Sequence, residues 1–199
     1  LLSTAFTKHT YRHTTMGFKA DIEAMPSMYE YSLNFHKRYY RPENVVLLIV
    51  GDIDTQNTLD WVKQYYSDWQ PGYVPPNVPA EPEQTKERRA NVEFSGRTLP
   101  IVAISYKGTA FDSKNKSLAS SMLFSDLAFG ETSEIYKKLV INEQRVQFLQ
   151  AEDAVNRDPN LNAIFTMVKS EDDIENVIAE IETTIAKYQK ELFSEDKET

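Results

Sequence analysis

The sequence predicts an α+β protein, and three observations carry that prediction. The continuous β-branched run Val45-Val-Leu-Leu-Ile-Val50 lies between two segments of helical spacing. Two further strand-like runs, at 146–155 and 161–168, flank Asn156-Arg-Asp-Pro-Asn160, whose turn-forming residues predict an antiparallel reversal. The last helical segment sets Ile174, Val177, Ile178, Ile181, Ile185, Tyr188 and Leu192 on one stripe. Such a stripe can form a coiled-coil seam, but over so short a length it more often covers a sheet in its own domain. With 199 residues, 41% apolar and 12% aromatic, the chain can bury a core as one large or two small domains.

Residues 1–70 read as an irregular lead-in, a helix, a strand and a second helix. Met25-Pro26-Ser27 opens the first helix, with Pro26 in its first turn, and Met28, Tyr31, Leu33, Phe35 and Tyr39 recur at roughly helical spacing. Arg41-Pro42 breaks it. Val45–Val50, closed by Gly51, is expected to be a strand covered on both faces. Asp52 or Asp54 can then cap a helix carrying Leu59, Val62 and Tyr66, because a carboxylate there accepts unpaired amide hydrogens and suits the positive end of the helix dipole. Trp69 closes that packing.

Residues 71–88 form a connector. Pro71, Pro75, Pro76, Pro79 and Pro82 are five of the nine prolines, and proline both fixes φ and removes a donor, so an extended, solvated segment follows. Residues 89–199 make a second α+β segment. Within it, 92–106 reads as a strand region interrupted near Gly96 and Pro100, and 114–129 as a helix ending at Gly130. Thr132 is the expected N-cap of a helix with Ile135, Leu139 and Val140, ahead of the two reversed strands. Ser170-x-x-Asp173 resembles a capping box for the terminal helix.

Composition excludes several functions. Basic side chains number 22 against 30 acidic, a net charge of −8, and no basic block exceeds Lys86-Glu-Arg-Arg89, so no cationic face suits nucleic acid. The absence of cysteine removes disulfides, zinc-thiolate sites and thiol catalysis. The longest apolar run is strand-sized, which predicts no membrane span. There is no Gly-x-Ser-x-Gly elbow, no phosphate loop and no dinucleotide turn. His9 and His13 have the i, i+4 spacing that could bind zinc on a helix, yet Thr10, Thr14, Thr15 and Gly17 argue against a helix, and no third ligand completes a set. They read as packing or hydrogen-bonding residues. His36, beside Lys37 and Arg38, reads as a solvated helix residue. Glu171-Asp172-Asp173 suits a helix start and Glu195-Asp196 a polar tail, so no catalytic, cofactor-binding or metal residue is assigned.

The order of motifs carries a family resemblance. His9-Thr-Tyr-Arg-His-Thr-Thr-Met-Gly17, then Tyr40-Arg-Pro-Glu-Asn44, then Gly51-Asp-Ile-Asp54, resembles a stretch of the pitrilysin-like zinc metallopeptidases, the family of insulin-degrading enzyme and mitochondrial processing peptidase. Gly130-Glu-Thr-Ser-Glu-Ile-Tyr-Lys-Lys-Leu-Val-Ile-Asn-Glu143 resembles a later stretch, where a Gly and Ser precede a helix and strand. The resemblance implies antiparallel sheets flanked by helices, a metallohydrolase-like fold, with residues 1–70 completing one repeat and 89–199 belonging to the next. Members enclose peptides in a chamber and hold them partly by strand addition at a sheet edge.

The family's His-x-x-Glu-His signature is absent, so the resemblance implies a non-catalytic piece of a zinc protease whose site lies upstream of Leu1, with no cofactor in this chain and zinc in the parent protein. The Arg and Tyr that some family halves use on substrate would fall around Leu139 to Leu149, where Val140 and Phe148 stand instead. The opening Leu1-Leu-Ser3, without an initiator Met, is expected of a segment of a longer protein. Peptide or unfolded protein is the implied substrate of the parent, and unpaired sheet edges in such a piece could support a homodimer or a partner subunit. Two other readings stand beside this one: a family member that has lost its site, and an interaction module using the Ile-rich terminal helix. Periplasmic and cytoplasmic settings are both compatible.

Overall fold

The computed structural model describes residues 1–190. Leu192 and the Glu195-Asp196 pair lie outside the described residues. The chain divides into two compact units, Leu2–Glu87 and the part from Arg88 onward.

In the first unit, α1 (Leu2–Ala5) leads into a 3-10 turn at Thr10–Arg12, and α2 (Lys19–Ala24) runs into a second turn at Met25–Ser27 that holds Pro26 near its start. Helix α3 (Tyr29–Tyr39) follows, with Phe35 and Tyr39 in ring contact at 4.4 Å. Helix α4 (Thr55–Tyr66) is capped by Asp54 rather than Asp52: its carboxylate accepts from the Asn57 amide at 2.8 Å, satisfying a first-turn donor. Trp69 packs edge-on against Tyr66 at 5.2 Å.

The Val45–Val50 segment departs from its expected burial. It pairs with no strand among the described residues, and Val46, Leu48 and Val50 are 94%, 82% and 85% exposed. Val45, Leu47 and Ile49 are less exposed, so the side chains alternate as a strand's do while the hydrogen-bonding neighbours are missing. The first unit holds no other strand to supply a ladder.

The proline-rich stretch contains no helix or strand, as its missing donors dictate, but it is fastened at two points. Glu43 accepts from the Gly72 amide at 2.6 Å, a bond that holds the Glu43 carboxyl below its ordinary range. Glu81 accepts from the Thr7, Lys8 and His9 amides at 2.7–2.9 Å and from the Thr7 hydroxyl at 2.8 Å.

The second unit is built on an antiparallel sheet of β1 (Ile101–Lys107), β2 (Val146–Glu152) and β3 (Leu161–Val168), in the order β1-β3-β2. Val92 and Phe94 lie outside it, 89% and 71% exposed. The strand starts only after Pro100, which cannot donate to a ladder; its carbonyl still accepts from the Val168 amide at 2.9 Å. Between Val146↔Val168 and Leu149↔Thr166 the register slips, and the Thr166 hydroxyl donates to the Phe148 carbonyl at 2.7 Å inside that irregularity.

Helix α5 (Ser117–Phe129) ends at Gly130, where an added Cβ would come within 2.4 Å of the Asp126 carbonyl oxygen. The next cap is Ser133, not Thr132: its hydroxyl accepts from the Tyr136 amide at 3.2 Å and starts α6 (Glu134–Tyr136). That helix widens into a π-turn over Lys137–Asn142, and Gln144, at φ +52°, turns the chain into β2.

The final helix, α7 (Ile174–Tyr188), lays its stripe on the sheet. Val177 and Ile181 are fully buried beside Leu139, Val146 and Val168, with Ile174, Ile185 and Tyr188 at the margin. The stripe is therefore core of its own unit, and the interaction-module reading loses its surface. The capping box does not form. Ser170 makes no cap hydrogen bond, and Asp173 is instead engaged by Arg145, whose Nε and Nη2 donate to the two carboxylate oxygens at 2.5 and 2.6 Å. No helix among the described residues is long and apolar enough to cross a membrane.

Candidate functional site

The structure places the histidine pair on the two ends of a 3-10 turn, not on one helical face. His9 is its N-cap and His13 its C-cap, both with extended backbone. His9 is buried, its ring 4.2 Å from that of Tyr11 and 6.0 Å from that of Phe6, and its Nδ1 accepts from the Tyr11 amide at 3.1 Å. His13 is half-buried, with Nδ1 2.8 Å from the Thr14 carbonyl. The two rings thus face different partners and do not form a zinc ligand set, which needs at least three converging side chains. Among the described residues no group of three His, Cys, Asp or Glu converges. His36 is exposed and stacked on Tyr40 at 4.5 Å.

In the acidic run, only Asp173 is drawn into structure. Hydrogen bonds from the Arg145 guanidinium hold its carboxyl below the usual carboxylate range and hold Arg145 firmly protonated. Glu171 and Asp172 remain exposed.

Concave surface in the second unit occurs in two places, a shallow one beside the Arg145–Asp173 pair and one along the sheet. An open groove of about 520 Å³ runs between α5 and β2. Four consecutive β2 residues line it, Phe148, Leu149, Gln150 and Ala151. Successive strand side chains point to opposite faces, so a groove that touches all four follows the strand's edge. That edge is the outer one: β2 pairs with β3 on one side and, among the described residues, with no strand on the other. A free edge offers backbone donors and acceptors to an incoming extended chain.

The opposite wall comes from the end of α5 and the turn after it. Met122 supplies apolar surface over the buried Phe129, and Asp126 and Glu131 supply carboxylates. Asp153 also lines the groove, but its carboxylate is occupied: the Ser121 hydroxyl donates to it, and the Asn162 amide donates to Ser121 at 2.8 Å. Gly130 lets the chain turn tightly out of α5 against Asp126, and Glu131 follows on the same wall. Sequence reading names Gly130 and Phe148 but not this groove, since its walls lie some twenty residues apart and are joined only by the sheet; the helix-stop at Gly130 ahead of a strand was the available signal.

Comparison with known proteins identifies the family. A family model described as the peptidase M16 inactive domain matches residues 28–197. The zinc protease PqqE of Helicobacter pylori is 31% identical over 145 residues, 69% of this chain and 31% of that protein. The mitochondrial presequence protease of Drosophila melanogaster is 36% identical over 69 residues, 34% of this chain and 6% of that protein. The chain thus spans under a third of the length of these relatives. Among solved structures, a Helicobacter pylori protease superposes with a TM-score of 0.82 at 24% identity, covering 98% of this chain and 48% of that one. A peptidase M16 inactive domain from Pseudomonas fluorescens gives 0.77 at 16% identity, covering 98% and 46%. With the fold shared almost end to end and the family model covering most of the sequence, this chain belongs to the peptidase M16 inactive-domain family and is a non-catalytic domain of the pitrilysin-like zinc proteases.

Proposed function

We propose that this chain is a wall of the peptide-holding chamber in a longer zinc metalloendopeptidase, with the zinc ligands supplied by sequence outside it. In this reading residues 1–70 complete one α+β repeat, 71–88 connect, and 89–199 open the next. The observation that carries it is the groove along the free edge of β2, lined by Phe148 to Ala151 and roofed by α5. A free edge holds an extended peptide through backbone hydrogen bonds, which suits a chamber surface that must accept many sequences and needs no reactive side chain. The relatives' greater length leaves room for a catalytic half, and their names as proteases supply the reaction class.

The expected behaviour is division of labour. The purified chain binds extended peptides weakly, cleaves none and holds no stoichiometric zinc, while the longer protein holds zinc and cleaves. Amide exchange with and without peptide tests the site: protection is expected at Gln147–Gln150. One zinc per chain by elemental analysis, lost on His9→Ala or His13→Ala, would overturn the assignment of the metal to sequence outside the chain. Protection spread evenly over the surface, with none at β2, would remove the chamber-wall reading.

A further inference from the structure

The groove has a charge as well as a shape. Asp126 and Glu131 stand exposed on the wall facing β2, and no ion pair or side-chain hydrogen bond engages either carboxylate among the described residues. No Lys or Arg lines the groove, and the third acid, Asp153, is held by Ser121. Three carboxylates elsewhere in this unit carry a counter-charge, Asp173 from Arg145, Glu180 from Lys138 and Glu134 from Lys187, whereas Glu171 and Asp172 stand exposed outside the groove. The free edge of β2 and the two uncompensated carboxylates thus share one surface, the first able to fix the backbone of an extended chain and the second facing the side chains that such a chain would project every second residue.

We propose that this groove takes an extended polypeptide segment as an added strand beside Phe148–Ala151 and favours segments that place a lysine or arginine against Asp126 and Glu131. The inference rests on the chamber-wall reading and adds a substrate preference to it. Strand addition alone is indifferent to sequence; a negative wall without counter-charge makes it discriminate. A cationic side chain gains Coulomb attraction there and an anionic one meets repulsion, and both effects are those of exposed charges: modest and weakened by salt. Apolar surface from Met122 and Phe148 accommodates the aliphatic stem of a lysine or arginine whose head reaches the carboxylates.

Fluorescence anisotropy of dye-labelled Thr/Val peptides that differ only in one central Lys, Gln or Glu tests this on the chain as it stands. The Lys peptide is expected to bind about fivefold tighter than the Glu peptide at low salt, with Gln between, and the spread to shrink as salt rises. In the double variant Asp126→Asn, Glu131→Gln the spread should close to within about twofold, whereas Glu171→Gln with Glu182→Gln, an equal change of net charge away from the groove, should keep it. Equal affinity of the Lys and Glu peptides for the unaltered chain overturns the preference and leaves strand addition standing. A spread that survives the groove variant places the selectivity elsewhere and also overturns it. Failure of all three peptides to bind, or binding untouched by N-methylation of alternate peptide amides, removes the chamber-wall reading itself and the preference with it.

Discussion

From Arg88 onward, Leu139, Val168, Val177 and Ile181 are completely shielded from solvent; between Leu2 and Glu87 only Phe6 and His9 are buried, and the most apolar run of the whole sequence lies bare. Composition does not account for the contrast, because the first unit carries both tryptophans and an unbroken Val/Leu/Ile hexapeptide. Partnership does. In the second unit β3 has a neighbour on each side, so α7 finds a continuous surface to cover. In the first, Val45–Val50 has the side-chain alternation of a strand and no second strand to join, and helices α3 and α4 have no sheet on which to lay their apolar faces.

The largest way to break this comparison is a cavity in the covered core. Leu139→Ala removes a side chain at 0% exposure among Val146, Val168, Val177 and Ile181, and is expected to cost about 2–5 kcal/mol in urea unfolding followed through β-sheet amides. Trp61 and Trp69 both lie in the first unit, so tryptophan fluorescence reports that unit alone and should not move. A tryptophan midpoint that falls in step would merge the two units into one cooperative block.

A smaller effect belongs to the irregularity in β2. Thr166→Val keeps the shape of a fully buried residue but leaves the Phe148 carbonyl without its hydroxyl donor, a loss of about 1–3 kcal/mol. Faster amide exchange at Gln147–Leu149 is the local signature; exchange that quickens uniformly over the sheet would mean that the hydroxyl supports the whole ladder and not the β2 irregularity.

How far the sequence anticipates the structure follows the same division. The strand pair around Asn156–Asn160, the helix stopping at Gly130 and the Ile stripe of α7 are legible because period, turn residues and cover all sit within one unit. The cap at Ser133 in place of Thr132 is a one-residue choice between two hydroxyls, decided by which one the Tyr136 amide can reach. The expected capping box at Ser170 fails because Arg145, distant in sequence, takes the Asp173 carboxylate. The groove at Asp126, Glu131 and Phe148 is likewise invisible to local pattern, since only the pairing of β2 with β3 brings a free edge under α5.

Within the first unit the strongest link is polar. Burial pushes the Glu81 carboxyl up, but the amides of His9, Lys8 and Thr7 with the Thr7 hydroxyl outweigh it and bring its pKa down from an ordinary 4.5 to about 2. A carboxyl with a depressed folded-state pKa stabilises fully above its ordinary value and loses that contribution as pH falls through the folded one. The clasp should therefore hold at pH 5 and above and open between about pH 4.5 and pH 2. Glu81→Gln should open it at neutral pH, read as protease cleavage within 71–81 where the parent chain is cut only beyond Glu81. Unchanged cleavage sites in the variant would show that the prolines alone hold the stretch.

The smallest expected effect is the most diagnostic. Val46→Thr, Leu48→Thr and Val50→Thr together keep β-propensity while removing apolar surface that the structure leaves in water, so the tryptophan unfolding midpoint should shift by less than about 0.5 kcal/mol. Were these side chains packed between helices and a sheet, the same three changes would forfeit roughly 1–3 kcal/mol apiece. A large shift in the isolated chain would therefore mean that the run finds cover in solution, through a second copy or a rearranged first unit, and light scattering separates the two. A negligible shift would leave an apolar segment that does nothing for the chain carrying it. Six such residues in water are unfavourable for any isolated protein, so their presence would then be explained by a sheet supplied from outside residues 1–199, the arrangement that the greater length of the relatives permits.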